Sequence, residues 1–203
     1  MTELLKGDRP AQGLRERKKA KTRAAIQRHA LRLFREQGYE ATTVEQIAAA
    51  AEVSPSTFFR YFPTKEDVVL YDDFDPLLFA AFEAQPAELS PIQAMRGAMS
   101  ALFSQVPADE MDQQWERGRL MRAVPEVRMR MLDQLVELIE VCADLVARRV
   151  GRRADDFEVR TFAGAMIGAL VAAFFAGVDD QQAEDFMGMI DKSLAYLEAG
   201  MPL

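Results

Sequence analysis

The chain has 203 residues, 49% of them hydrophobic and 28% charged, and a formal net charge of −7. That length holds one or two domains with a sizeable core. A lone Cys142 and a lone His29 exclude a disulfide framework and any Cys/His metal cluster, and fit a reducing cytoplasm.

The charge is unevenly divided. Residues 1–70 sum to +4 and the remainder to −11, a basic head on an acidic body. Cations gathered at one end suit phosphate contact there. Helix formers dominate, and most of the nine prolines fall at plausible helix starts, so the fold class expected is all-α.

Residues 1–14 carry Gly, Pro and charge without periodicity and read as a flexible arm. A first helix is expected over Arg15–Gln37, with Ile26, Ala30, Leu33 and Phe34 on one face and Gly38 as its stop. Its early turns hold a basic run, of which Lys21 and Arg23 are expected on phosphates. His29 is expected at its surface. Thr43 and Gln46 have the spacing of a capping box for a second, short helix. Ser54 and Pro55 then mark the cap and first residue of a third, reaching Phe62. Phe58 and Phe62 lie four apart on one face, leaving Ser56, Thr57, Phe59, Arg60 and Tyr61 for other work. Two short helices joined by a tight turn read as a helix-turn-helix.

Residues 17–70 resemble the DNA-binding domain of the TetR family of bacterial regulators. The resemblance rests on Thr42-Thr43-Val44 leading to Ile47-Ala48, on Val53-Ser54, on Ser56 through Phe62, and on Lys65-Glu66. Ser56 stands where the family often has Gly, and Phe59 where it often has Tyr. The resemblance implies a helix-turn-helix domain over 15–63 and a larger helical domain over 64–203 for ligand binding and dimerisation. It implies that Thr43, Ser56, Tyr61 and Lys65 position the DNA backbone. Ser54, Thr57, Phe59 and Arg60 stand where base edges would be touched.

Further along, Thr64 is expected to cap a helix, and Asp75-Pro76, Ser90-Pro91, Pro107-Ala108, Pro125 and Asp155-Asp156 open others. The last helix should run from about 182 to 199, after a break at Asp179-Asp180. Thr161–Val178 contains no charge, and its Gly164, Gly168, Ala172 and Phe175 lie in a run of small and apolar residues. That length is marginal for a membrane span, and charges crowd both ends. The resemblance instead implies a seam between two subunits. The stretch 74–135 is rich in soft and aromatic side chains, from Phe74 onward. Phe79, Phe82, Met99, Phe103 and Trp115 are candidates for lining an effector pocket, with Arg119 and Arg122 for an anionic head group. The segment from Arg117 to Pro125 is similar to regulators proposed to sense acyl-CoA-like ligands.

No nucleophile–base set, Gly-rich phosphate loop or cofactor motif is present, so no enzyme and no cofactor are expected. The function expected is a cytoplasmic, homodimeric repressor released from a palindromic operator by a small lipophilic or acyl-CoA-like effector. The alternatives are a regulator or architectural DNA-binding protein without an effector.

Overall fold

The computed structural model describes residues 13–72, 75–176 and 183–202. Among them are ten helices and no strand, so the chain is all-α as expected. The outer part of the expected arm, Phe74, the Asp179-Asp180 break and Gln182 lie outside the described residues. The chain divides into two compact units, Met1–Val69 and Leu70–Leu203.

The first unit is built from α1 (Leu14–Gln37), α2 (Val44–Ala50), α3 (Pro55–Tyr61) and most of α4 (Lys65–Leu70). Its core is Ile26, Ala30, Leu31 and Phe34 from α1, Ile47 and Ala48 from α2, Phe58 and Phe62 from the third helix, and Val68 and Val69 from the fourth. The sequence boundary at residue 63 would have given α4 to the body. Four hydrogen bonds tie it to the head instead. Gln27 donates to the Val68 carbonyl at 2.9 Å. The Tyr39 hydroxyl donates to Glu66 at 2.7 Å. Lys65 donates to the carbonyls of Tyr39 and Thr42 at 2.9 and 3.2 Å. Burial opposes the charge on Glu66, but the Tyr39 and Thr64 bonds and the Lys65 charge outweigh it and hold its pKa below the ordinary carboxylate value. His29 is half-buried rather than on the surface, and its Nδ1 is buried with no hydrogen-bond partner among the described residues.

The second unit contains α5 (Asp75–Glu83), α6 (Pro91–Phe103), α7 (Ala108–Ala123), α8 (Pro125–Val150), α9 (Phe157–Phe175) and α10 (Ala183–Glu198). Ser90 caps α6 through a capping box with Gln93, and Gly151 stops α8 in the left-handed conformation (φ 67°). Asp156 sits at the N-cap of α9 but makes no side-chain cap, because its carboxylate takes the Arg152 guanidinium at 2.9 Å. Helices α8, α9 and α10 pack in sequence around Ala143, Val146, Ala163, Met166 and Leu194. Cys142 joins this core, and burial pushes its thiol up to about 12, which makes it a small hydrophobe. Arg149 lies over the Phe82 ring and donates to the carbonyls of Leu89 and Pro86, closing the loop between α5 and α6.

Candidate nucleic-acid interface and effector pocket

The turn between α2 and α3 is built by local chemistry. Thr43 Oγ1 accepts from the Gln46 N–H at 3.3 Å, and Gln46 Oε1 accepts from the Thr43 N–H at 2.9 Å. Gln37 reaches across to the same Gln46 oxygen at 2.9 Å, which fixes α2 on the end of α1. After Ala50 the chain turns through Glu52, which adopts a left-handed φ of 55°. Ser54 then accepts from the Thr57 N–H at 3.1 Å and starts α3. Phe58 and Phe62, at 0% and 1% exposure, anchor that helix in the core.

The opposite face of α3 is what the anchors leave outside. Ser54, Ser56 and Thr57 form a hydroxyl cluster at its start, with Ser54 2.9 Å from Ser56 and 3.0 Å from Thr57. Phe59 is 51% exposed and stands edge-on to Phe58 at 5.4 Å. Arg60 is exposed, and the half-buried Tyr61 ring has two guanidinium groups close to it, Arg60 at 5.5 Å and Arg23 at 5.9 Å. A groove of about 760 Å³ runs from this face to the start of α1, lined by Arg15, Lys18, Lys19, Thr22, Arg60 and Tyr61 among others. Lys21 is exposed. The structure therefore brings Arg60 and Tyr61 together with Arg23 and the basic run of α1. Lys65 has a structural task that the sequence did not signal. Its ammonium sits 4.0 Å from the Tyr39 ring centroid and spends two donors on backbone carbonyls. The exposed Thr43 hydroxyl accepts the Gln46 N–H at its cap and keeps its own O–H to donate outward.

The second unit holds a cavity of about 230 Å³. Four of the seven residues expected there line it: Met99, Phe103, Trp115 and Arg122. Phe82 is instead 1% exposed beneath Arg149, Phe79 packs on the core, and Arg119 turns back to Glu116 at 2.7 Å. The sequence missed Phe174 and Ile190, which come from α9 and α10, and Gly118. Met111, Trp115, Gly118 and Arg122 recur at helical spacing, so one face of α7 forms a wall. Arg122 lies over the Phe174 ring at 5.2 Å and makes no ion pair among the described residues. Arg117, only 3% exposed, donates to Gln114 and the Leu70 carbonyl and faces Asp72 at 3.3 Å. Asp75 lines the same cavity where α5 begins. Asp75 is exposed to solvent, and partial desolvation with the neighbouring Asp72 pushes its carboxyl up to about 6 against the pull of Arg117.

On α9, a side-chain carbon added at Gly164 or Gly168 would meet nothing within 4 Å. Gly168 and Ala172 are exposed, and Phe175 is half-buried. The most apolar window of the helix has a mean hydropathy of 1.5, but only 28% of it is buried within the chain. The helix is long and apolar enough to cross a membrane by length and composition alone. No cluster able to hold a metal ion occurs among the described residues.

Residues 26–71 match the family model described as bacterial regulatory proteins, tetR family, and residues 89–202 match the MftR C-terminal domain. The chain is 41% identical over 151 residues to the HTH-type transcriptional regulator TcmR of Streptomyces glaucescens, covering 71% of this chain and 67% of that one. It is 28% identical over 161 residues to the putative mycofactocin biosynthesis transcriptional regulator MftR of Mycobacterium tuberculosis, covering 78% and 80%. Among solved structures it is similar to Thermus thermophilus FadR, a TetR family transcriptional repressor in complex with lauroyl-CoA. That match has 26% identity and a TM-score of 0.55, covering 89% of this chain and 95% of that one.

Proposed function

Because the chain belongs to the TetR family of bacterial transcriptional regulators, and is thus a DNA-binding regulator rather than an enzyme, we propose that it is a cytoplasmic homodimeric repressor. Each subunit lays α3 in a major groove. A two-fold pair of such helices, roughly 34–36 Å apart, requires an imperfect palindrome. The observation that carries this reading is the split of α3 into a buried Phe58/Phe62 edge and an outer face of Ser54, Ser56, Thr57, Phe59 and Arg60. Phosphates are held by Lys21, Arg23, Thr43, Ser56 and Tyr61, with Lys65 adding charge through its remaining donor. Phe59 suits a thymine methyl and Arg60 a guanine edge.

The open stripe of Gly164, Gly168 and Ala172, with the half-buried Phe175 following it, supports α9 as the dimer seam, since small side chains let two helices approach closely. A small lipophilic effector, an acyl-CoA-like molecule included, enters the second unit and releases the operator by favouring a different head spacing. The cavity beside Trp115 supports this, as does the lauroyl-CoA bound by the Thermus thermophilus relative.

Footprinting upstream of the chain's own gene tests the reading. One discrete protected palindrome is expected. Arg60→Ala should relax preference at one base position of each half-site by about 1–3 kcal/mol. Protection spread evenly along the DNA would favour an architectural protein instead.

A further inference from the structure

Arg60 is the one cation of α3, and that helix carries no carboxylate. Its guanidinium makes no ion pair and no hydrogen bond among the described residues. The contact it does make is aromatic. It stands 5.5 Å from the centroid of the Tyr61 ring, within the reach over which a cation is drawn to a ring face. The ring is itself restrained. Tyr61 is half-buried, and the half-buried Arg23 of α1 brings a second guanidinium to it at 5.9 Å. Phe58 and Phe62, both buried, fix the backbone from which Tyr61 projects. An arginine on a helix surface samples many rotamers and gives up that freedom when it meets a base edge. A ring that already favours one direction for the guanidinium lowers the cost of binding.

Resting on the reading of Arg60 as a base contact, we infer that the ring of Tyr61 is a positioning group for sequence readout. It holds the Arg60 guanidinium in the direction from which it meets the base, whatever bond the Tyr61 hydroxyl makes to a phosphate. The two parts of this side chain then have separate tasks. The hydroxyl adds affinity for every sequence, because phosphates are the same at every step. The ring adds preference at the base pair that Arg60 reads.

The test uses the full-length protein and a labelled duplex carrying the protected palindrome. Fluorescence anisotropy gives the dissociation constant for that duplex and for one altered at the base pair that Arg60→Ala identifies. Tyr61→Phe keeps the ring and should leave the ratio of the two constants at its original value, even where both duplexes bind more weakly. Tyr61→Leu removes the ring and should lower the ratio about two- to fivefold, the factor that an exposed cation–ring contact supplies. Added to Arg60→Ala, it should lower the ratio no further. A thermal melt checks each variant, and Tyr61→Met replaces Tyr61→Leu where the latter fails to fold. An unchanged ratio on loss of the ring, or a further fall in the Arg60→Ala background, overturns the positioning role and leaves Arg60 as the base contact. An equal fall for Tyr61→Phe assigns the effect to the hydroxyl and overturns it too. If Arg60→Ala leaves every base preference unchanged, the base contact itself falls and the role of the ring with it.

Discussion

Glu52 is the residue on which the helix-turn-helix bends, and it does so with a left-handed φ of 55°. An L side chain pays about 1–2 kcal/mol for that region, whereas glycine pays only its extra unfolded-state entropy. Glu52→Gly is therefore expected to stabilise the first unit by about 0.5–1 kcal/mol in chemical denaturation. Lys65 gives the opposite result. Its two carbonyl bonds and its place over Tyr39 make it a structural cation, so Lys65→Met should cost about 2 kcal/mol in the absence of DNA. A residue serving phosphate alone would leave that stability unchanged. Asp75 makes stability depend on pH. Its carboxyl stands at about 6 against an ordinary 3.8, through desolvation and the facing Asp72, opposed by Arg117. The folded state thus holds this proton more firmly than the unfolded state. The charge costs stability above about pH 6, and the cost disappears as the pH falls toward about 4. Asp75→Asn should raise the melting temperature near pH 7.5 and give no gain near pH 4.

Helix starts were the most legible features of the sequence, because capping is a contact over three residues. Thr43 with Gln46, and Ser54 with Pro55, stand as read. The two edges of α3 were legible for the same reason, since a four-residue spacing puts Phe58 and Phe62 on one side whatever surrounds the helix. Phe58→Ala should cost about 3–5 kcal/mol and unfold the reading helix, visible as lost helicity by circular dichroism. The pocket was only half legible. Met99, Phe103, Trp115 and Arg122 were found by composition, but which face of α5 turns inward depends on how α5 packs on α6 and α8. That packing sends Phe79 and Phe82 into the core. Phe174 and Ile190 arrive from helices more than fifty residues away, and no local pattern announces such a meeting. Lys65 was read as a DNA contact because charge is visible in a sequence, whereas two nearby carbonyls are not.

At the scale of the molecule, the open face of α9 is the test of assembly. Gly168→Glu places a charge where nothing in the same subunit touches it, so each subunit should stay folded while the dimer separates. Light scattering coupled to size exclusion would then report half the mass, and operator affinity would fall with it. A dimer of unchanged mass would move the seam elsewhere. The chain's lone thiol offers a way to watch such changes. Cys142 is buried, and its high pKa leaves almost no thiolate at neutral pH. The folded chain is accordingly expected to resist alkylating and maleimide reagents. A single engineered sulfhydryl, S56C on the outer face of α3, can carry a dye or spin label without first removing the native one. In the proposed dimer, one label on each subunit then turns head-to-head distance into a spectroscopic ruler.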